Sequence, residues 1–225
     1  MTDWVIGLDL GQAQDYSALA AMQRTWWRKG QQPDPRTAAL WHQVKYLQRW
    51  RLGTPYTVIA QQVAELYRSI DTDVAQWGAK LVVDAGGPGR PVIDLLKAKR
   101  LKPIAVTITS GDTWHQREDG SYTAPKRDIC SALVVAAQGG DVKIAAELSE
   151  AEELRREIDS FGYKINRRTG AETYEGMDDN IHDDLVLAAA LALWYSTQQL
   201  SKKFPGTRRG AEVRDTEYNP IGMIQ

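Results

Sequence analysis

The sequence predicts an α/β protein on a mixed sheet: an antiparallel meander of three strands, then parallel strands alternating with helices. Three apolar, strand-like runs fill the first fifty residues and are separated by turn residues. Beyond them the apolar period changes to that of a helix, and strand-like and helix-like segments then alternate, which favours parallel pairing. A final segment, apolar along nearly its whole length, must be a largely buried helix. This order is compatible with several superfolds.

Residues 4–10 form an apolar run closed by Gly11 and a polar turn, the pattern of a buried strand. Residues 17–27 and 37–47 make two more strands around the turn-rich Gly30-Gln31-Gln32-Pro33-Asp34-Pro35. In 56–70, Ile59, Val63, Leu66 and Ile70 recur at helical spacing, with Thr54 and Pro55 as start signals. Residues 80–83 are a buried strand ending at Asp84, 91–100 a helix, and 103–108 another strand. Residues 113–117 and 121–123 flank Asp119-Gly120, a strong hairpin-turn signal. Residues 126–138 form a helix with Pro125 near its first turn, and 149–157 a second one opening on the capping pair Ser149 and Glu152. A hairpin is expected over 161–167 and 172–175 around Thr169-Gly170, and the apolar helix over 181–195. From Ser201 the apolar periodicity stops and Lys, Arg, Gly and Pro accumulate. Residues 1–199 are therefore expected to form one domain and 200–225 a flexible tail.

The bulk composition narrows the function. Of 225 residues, 43% are hydrophobic and 25% charged, so the chain can bury an ordinary core. The 28 basic and 29 acidic residues nearly cancel, which excludes the strongly basic surface of a protein that grips DNA unaided. A DNA enzyme of this charge needs a local basic groove or a partner that delivers the strand. The single cysteine, Cys130, cannot form an internal disulfide, and no Cys/His set has zinc-site spacing. No leader pattern and no membrane-length apolar run is present, so a cytoplasmic protein is expected.

Acidic residues carry the chemistry. Asp9 ends the first buried strand, with Leu8 and Leu10 on the opposite face. A carboxylate there is costly unless compensated, by a cation, by an arginine or by a helix it caps. Asp84 ends the second buried strand, before Ala85-Gly86-Gly87-Pro88-Gly89, which is a tight strand-to-helix turn and not a Walker A loop. Ligands of open α/β sheets gather at the carboxyl ends of strands, so two strands ending in Asp would put two carboxylates on one rim. His182-Asp183-Asp184 opens the apolar helix; acids there suit the helix dipole, yet Asp178 and Asp179 make the charge density high for a cap. Asp15 falls in the turn after the first strand, where hydrogen bonding to the backbone is the ordinary role. Together these acids suggest a site for hard divalent cations such as Mg²⁺ or Mn²⁺. Two such ions roughly 3.5–4 Å apart can activate water and stabilise a leaving oxygen.

Taken in order, these pieces resemble the nuclease domain of phage DNA-packaging terminase large subunits, in the RNase H-like superfamily. The matching residues are Gly7-Leu8-Asp9-Leu10-Gly11 with Asp15-Tyr16-Ser17-Ala18, Val82-Val83-Asp84-Ala85-Gly86-Gly87-Pro88-Gly89, Ala124-Pro125-Lys126-Arg127, and His182-Asp183-Asp184-Leu185-Val186-Leu187-Ala188. The set spans nearly all of residues 4–197, and the His-Asp-Asp-Leu-Val helix start is its most telling member. The resemblance implies an endonuclease that cuts double-stranded DNA with two Mg²⁺ or Mn²⁺ ions during genome packaging, with low sequence specificity. It implies Asp9, Asp84 and an acid of the Asp183–Asp184 pair as catalytic metal ligands. Asp184 is favoured because similar proteins place their acid two positions after the His. Asp15 would be an accessory ligand, while Lys126 and Arg127 would lie along the DNA backbone. The two hairpins would flank the cleft. The implied partners are DNA, the packaging ATPase domain, the portal and the small terminase subunit, with no membrane. A full large subunit carries a packaging ATPase, and this chain has no Walker A sequence, so an isolated domain is expected.

Other readings share parts of the pattern. A Holliday-junction resolvase or transposase core would use the same carboxylates. An actin-like ATPase fragment would share Ile6-Gly7-Leu8-Asp9-Leu10-Gly11, but that class needs a longer chain and has no place for the Asp-Asp helix start. A catalytically dead relative would not need all the acids.

Overall fold

The structure, a computed structural model, describes residues 2–12, 15–25, 41–73, 78–161, 182–203 and 223–224. The expected meander is present: β1 (Thr2–Asp9), β2 (Ser17–Thr25) and β3 (Trp41–Trp50) pair antiparallel, with Asp9 opposite Ala18. Helix α1 (Tyr56–Asp73) then returns the chain to β4 (Ala79–Asp84), which lies parallel to β1. Helix α2 (Gly89–Ala98) leads to β5 (Ile104–Thr109), parallel to β4. The hairpin β6 (His115–Gln116) and β7 (Tyr122–Pro125) extends that side, and α3 (Lys126–Gln138) follows. Strand β8 (Val142–Ala145) crosses to the far side and pairs with β3. Helices α4 (Ala151–Phe161) and α5 (Asp184–Lys203) come next, and β9 (Met223–Ile224) lies parallel to β8. The sheet order is β6-β7-β5-β4-β1-β2-β3-β8-β9.

Alternation along the strands makes two cores. Val5, Ala18, Ala20, Met22 and Val82 face α3, α4 and α5. Ile6, Leu8, Leu19, Leu81 and Val83 face α1 and α2. Within α1, Ile59, Val63 and Ile70 of the expected stripe are buried and Leu66 is half-buried against the same core. Every residue of α5 from Leu185 to Tyr195 is buried, because the helix lies on β1 and β2 with α3 and α4 beside it. Among the described residues no helix is long and apolar enough to cross a membrane.

Several boundaries differ from the sequence expectation. Helix α5 starts at Asp184 and not at 181, with the Asp183 carbonyl accepting the Leu187 N–H at 2.9 Å as the first helical bond. It runs on to Lys203, and Met223–Ile224 align with β8, so both ends of the stretch read as a tail include regular structure. Helix α4 opens at Ala151, and Glu152 pairs with Arg155 instead of capping from Ser149. Strand β8 was not expected at all. The hairpin around Thr169-Gly170, the turn 30–35, residues 26–27 and 37–40, and Asp178 and Asp179 lie outside the described residues.

At the end of the sheet where β1 begins, a polar cluster is sealed in. Arg24 is bidentate to Asp3 and donates to Ser196 Oγ at 3.1 Å, and His42 Nε2 lies 2.8 Å from the same hydroxyl. Burial, then the Arg24 charge, pushes His42 down to about 3, so its ring is neutral. Asp3→Ala should cost about 3–5 kcal/mol, because it removes the carboxylate that balances a buried guanidinium. Urea unfolding would check this; a loss under about 1 kcal/mol would place the pair among surface-like ion pairs.

Candidate active site

The geometry of the acids starts from a glycine. Gly7 and Asp9 share the face of β1 that looks at α5, and Asp84 shares that face on β4. A Cβ on Gly7 would lie 1.9 Å from the Ala188 carbonyl oxygen, so α5 crosses β1 with backbone against backbone. Asp9 is two residues further along the strand, and Asp184 is one helical turn before Ala188. The crossing therefore sets Asp184 over Asp9.

Asp84 arrives by register. Leu8 pairs with Val83 in the parallel ladder, so the next residues, Asp9 and Asp84, leave the sheet side by side. The turn after Asp84 is equally tight: a Cβ on Gly89 would lie 1.9 Å from the Asp84 carbonyl oxygen. Gly86 N–H donates to Asp84 Oδ1 at 2.8 Å. The opening of α3 supplies the facing cation, as Lys126 Nζ is 2.7 Å from Asp183 Oδ2.

The proximity of the acids shifts their carboxyls. Burial first, then the charges of Asp84, Asp184 and Asp183, raise the Asp9 carboxyl well above the usual carboxylate range, with Lys126 opposing. Burial raises Asp84, against the N–H groups of Gly86 and Ile108 and the charge of Lys126. Burial and then Asp183 push Asp184 up to about 7. Lys126 itself is held above its usual value: burial works against its charge, but the bond to Asp183 outweighs it.

The acids share a rim without closing into a cage. Among the described residues no group of three His, Cys, Asp or Glu side chains stands as a finished metal site. Asp184 Oδ2 is nevertheless buried with no hydrogen-bond partner among the described residues. A buried anionic oxygen left open beside two other carboxylates fits a hard cation. Asp15 is exposed and near enough for its charge to raise Asp184. Arg127, one position beyond Lys126, is half exposed and reaches the Asp112 carbonyl at 3.5 Å.

Two neighbours escaped the sequence reading. Glu157, on α4, is fully buried and accepts the Val186 N–H at 2.8 Å. Burial, then partly the Asp184 charge, pushes it up to about 8, against the Val186 bond. Arg49, on β3, reaches Glu157 at 3.4 Å and lies 5.2 Å over the Tyr16 ring. The available signal was an acid in the apolar register of α4, with Leu154 one turn before and Ile158 beside it.

The mixed sheet and its flanking helices make an RNase H-like fold. Sequence comparison matches no family model and no curated protein. Among solved structures the chain is similar to terminase nuclease domains. The human cytomegalovirus terminase nuclease domain, Mn soaked, aligns with a TM-score of 0.51 at 12% identity, over 89% of this chain and 86% of that one. The large terminase nuclease from thermophilic phage G20c aligns with a TM-score of 0.49 at 20% identity, over 87% and 82%. Thermus thermophilus RuvC reaches 0.39 at 14% identity, over 92% and 99%.

The raised carboxyls predict the response to pH and metal. Between the usual 3.8 and about 7 the folded protein holds protons at Asp184 that the unfolded chain has released. Metal-free stability should therefore fall as pH climbs through that window. If the rim holds a hard cation, Mn²⁺ should raise the melting temperature, because an ion that binds the folded site and scarcely the unfolded chain stabilises the fold. Asp84→Asn should raise the melting temperature in EDTA and shrink the Mn²⁺ gain. A lower melt for Asp84→Asn in EDTA would show that its carboxylate serves another partner.

Proposed function

We propose that this chain is a metal-dependent endonuclease that hydrolyses phosphodiester bonds of double-stranded DNA, acting as the nuclease domain of a terminase large subunit. The observation that carries the reading is the meeting of Asp9, Asp84 and Asp184 on one rim, with a buried oxygen of Asp184 left open. Asp9, Asp84 and Asp184 would hold two Mg²⁺ or Mn²⁺ ions, with Asp183 and Asp15 as accessory ligands. Ions held there would supply an activated water and charge stabilisation of the leaving oxygen. Lys126, which pairs with Asp183 at 2.7 Å, would meet a phosphate, and Arg127 would extend that contact outward. The near-balance of 28 basic and 29 acidic residues suits a domain to which a motor presents DNA. In this reading the nuclease domain is residues 1–199, and the packaging ATPase, portal and small subunit are its partners.

The test is plasmid cleavage. Supercoiled DNA should be nicked and then linearised in Mg²⁺ or Mn²⁺ with little sequence preference, and left intact in EDTA. Cleavage confined to four-way junctions would favour a resolvase instead. ATP turnover without DNA cleavage would overturn the nuclease reading.

A further inference from the structure

We infer that Glu157 is a positioning residue for Asp184, holding the first turn of α5 in place from the side opposite Lys126. The inference rests on the nuclease reading. Val186 is the third residue of α5, and its N–H is one of the four that a helix start leaves without an internal acceptor. The Glu157 carboxylate supplies that acceptor from α4 at 2.8 Å, two residues from Asp184. Burial and the nearby Asp184 oppose a charge on Glu157, while the Val186 N–H and Arg49 favour it. Its own oxygens are both engaged: Oε2 by Val186 N–H, and Oε1 by Arg49 Nη1 at 3.4 Å. Its hold on the site runs through the Val186 backbone N–H.

Arg49 makes the anchor rigid. Its guanidinium reaches Glu150 and Glu153 at 3.6 Å as well as Glu157, tying α4 to β3. It also covers Tyr16, whose ring meets His182 edge-on at 4.8 Å. Tyr16 follows Asp15, and His182 precedes Asp183 and Asp184. One part-buried ion pair thus braces the two segments that carry Asp15 and Asp184.

The test compares wild type with Glu157→Gln, Glu157→Asp and Glu157→Leu. Gln keeps an acceptor for Val186 N–H; Asp keeps the charge but is one methylene too short; Leu removes both. Three measurements are made on folded protein well below its melt: Val186 amide exchange, Mn²⁺ affinity by titration calorimetry, and plasmid-cleavage kinetics for kcat and KM. Asp and Leu should speed Val186 exchange and weaken Mn²⁺ binding and kcat by about 10- to 100-fold, the scale of lost outer contacts around a metal site. KM should stay close to wild type, and Gln should retain most of all three. If Leu does not fold, Asp carries the comparison. Wild-type Mn²⁺ affinity and kcat in a folded Asp variant would overturn the inference, as would Gln falling as far as Asp. Wild type that binds no Mn²⁺ and cuts no DNA would overturn the nuclease reading, and this inference with it.

Discussion

Gly7→Ala is expected to cost about 3 kcal/mol, the upper range for overpacking, and to lower the melting temperature by roughly 6–12 °C for a chain of this size. The added Cβ would sit 1.9 Å from the Ala188 carbonyl oxygen and 3.0 Å from Ala192 N. Both neighbours are backbone, so no side chain can turn aside, and α5 must lift from β1 or slide. Either movement carries Asp184 away from Asp9, since one residue is a turn before the contact and the other two positions along the strand. A shift near 1 Å at a reacting centre costs about 100-fold in rate. Cleavage at a temperature where the variant is fully folded should therefore fall by about that factor. Thermal melts and plasmid assays on the same preparation separate the two effects. A Gly7→Ala protein with wild-type melt and wild-type activity would mean that α5 does not pack on β1 as described.

The second large effect is at Asp9. Asp9→Asn should reduce Mg²⁺-dependent cleavage by at least about 10³-fold, the order expected when several kcal/mol of charge stabilisation is lost. The amide has the shape of the acid but is a poor ligand for a hard cation. The same change should leave the metal-free protein more stable, because it removes a buried carboxylate raised by its own burial and by three neighbouring acids. Loss of activity with a gain in the EDTA melt is a combination that damage to the fold cannot produce. Asp15→Asn should do less: Asp15 is exposed, and water can take its place. Equal loss at Asp15 would reorder the proposed ligands.

Much of this arrangement was legible in the residues. Asp9 and Asp84 each close an apolar run, and strands that end in acids must deliver them to the edge of a sheet. Lys126 at the first position of α3 could be placed because Pro125 marks that start. The apolar stretch 185–195 announced a helix with no exposed face, and the acids before it marked its beginning. Strand β8 was not legible, because four residues carry little pattern and its pairing with β3 is made across a long crossover. The partnership of Lys126 with Asp183 also lay beyond the sequence, since it joins residues 57 positions apart.

By itself, then, the sequence determined the succession of strands and helices and which acids end up at element boundaries. Local periodicity and turn chemistry act over a few residues, and they suffice for that. Only the tertiary structure decided that Gly7 lets α5 lie directly on β1, that the β1–β4 register sets Asp9 beside Asp84, and that Glu157 grips the start of the helix carrying Asp184. Those relations depend on the distance between elements far apart in the chain, which packing sets and no short stretch of sequence encodes.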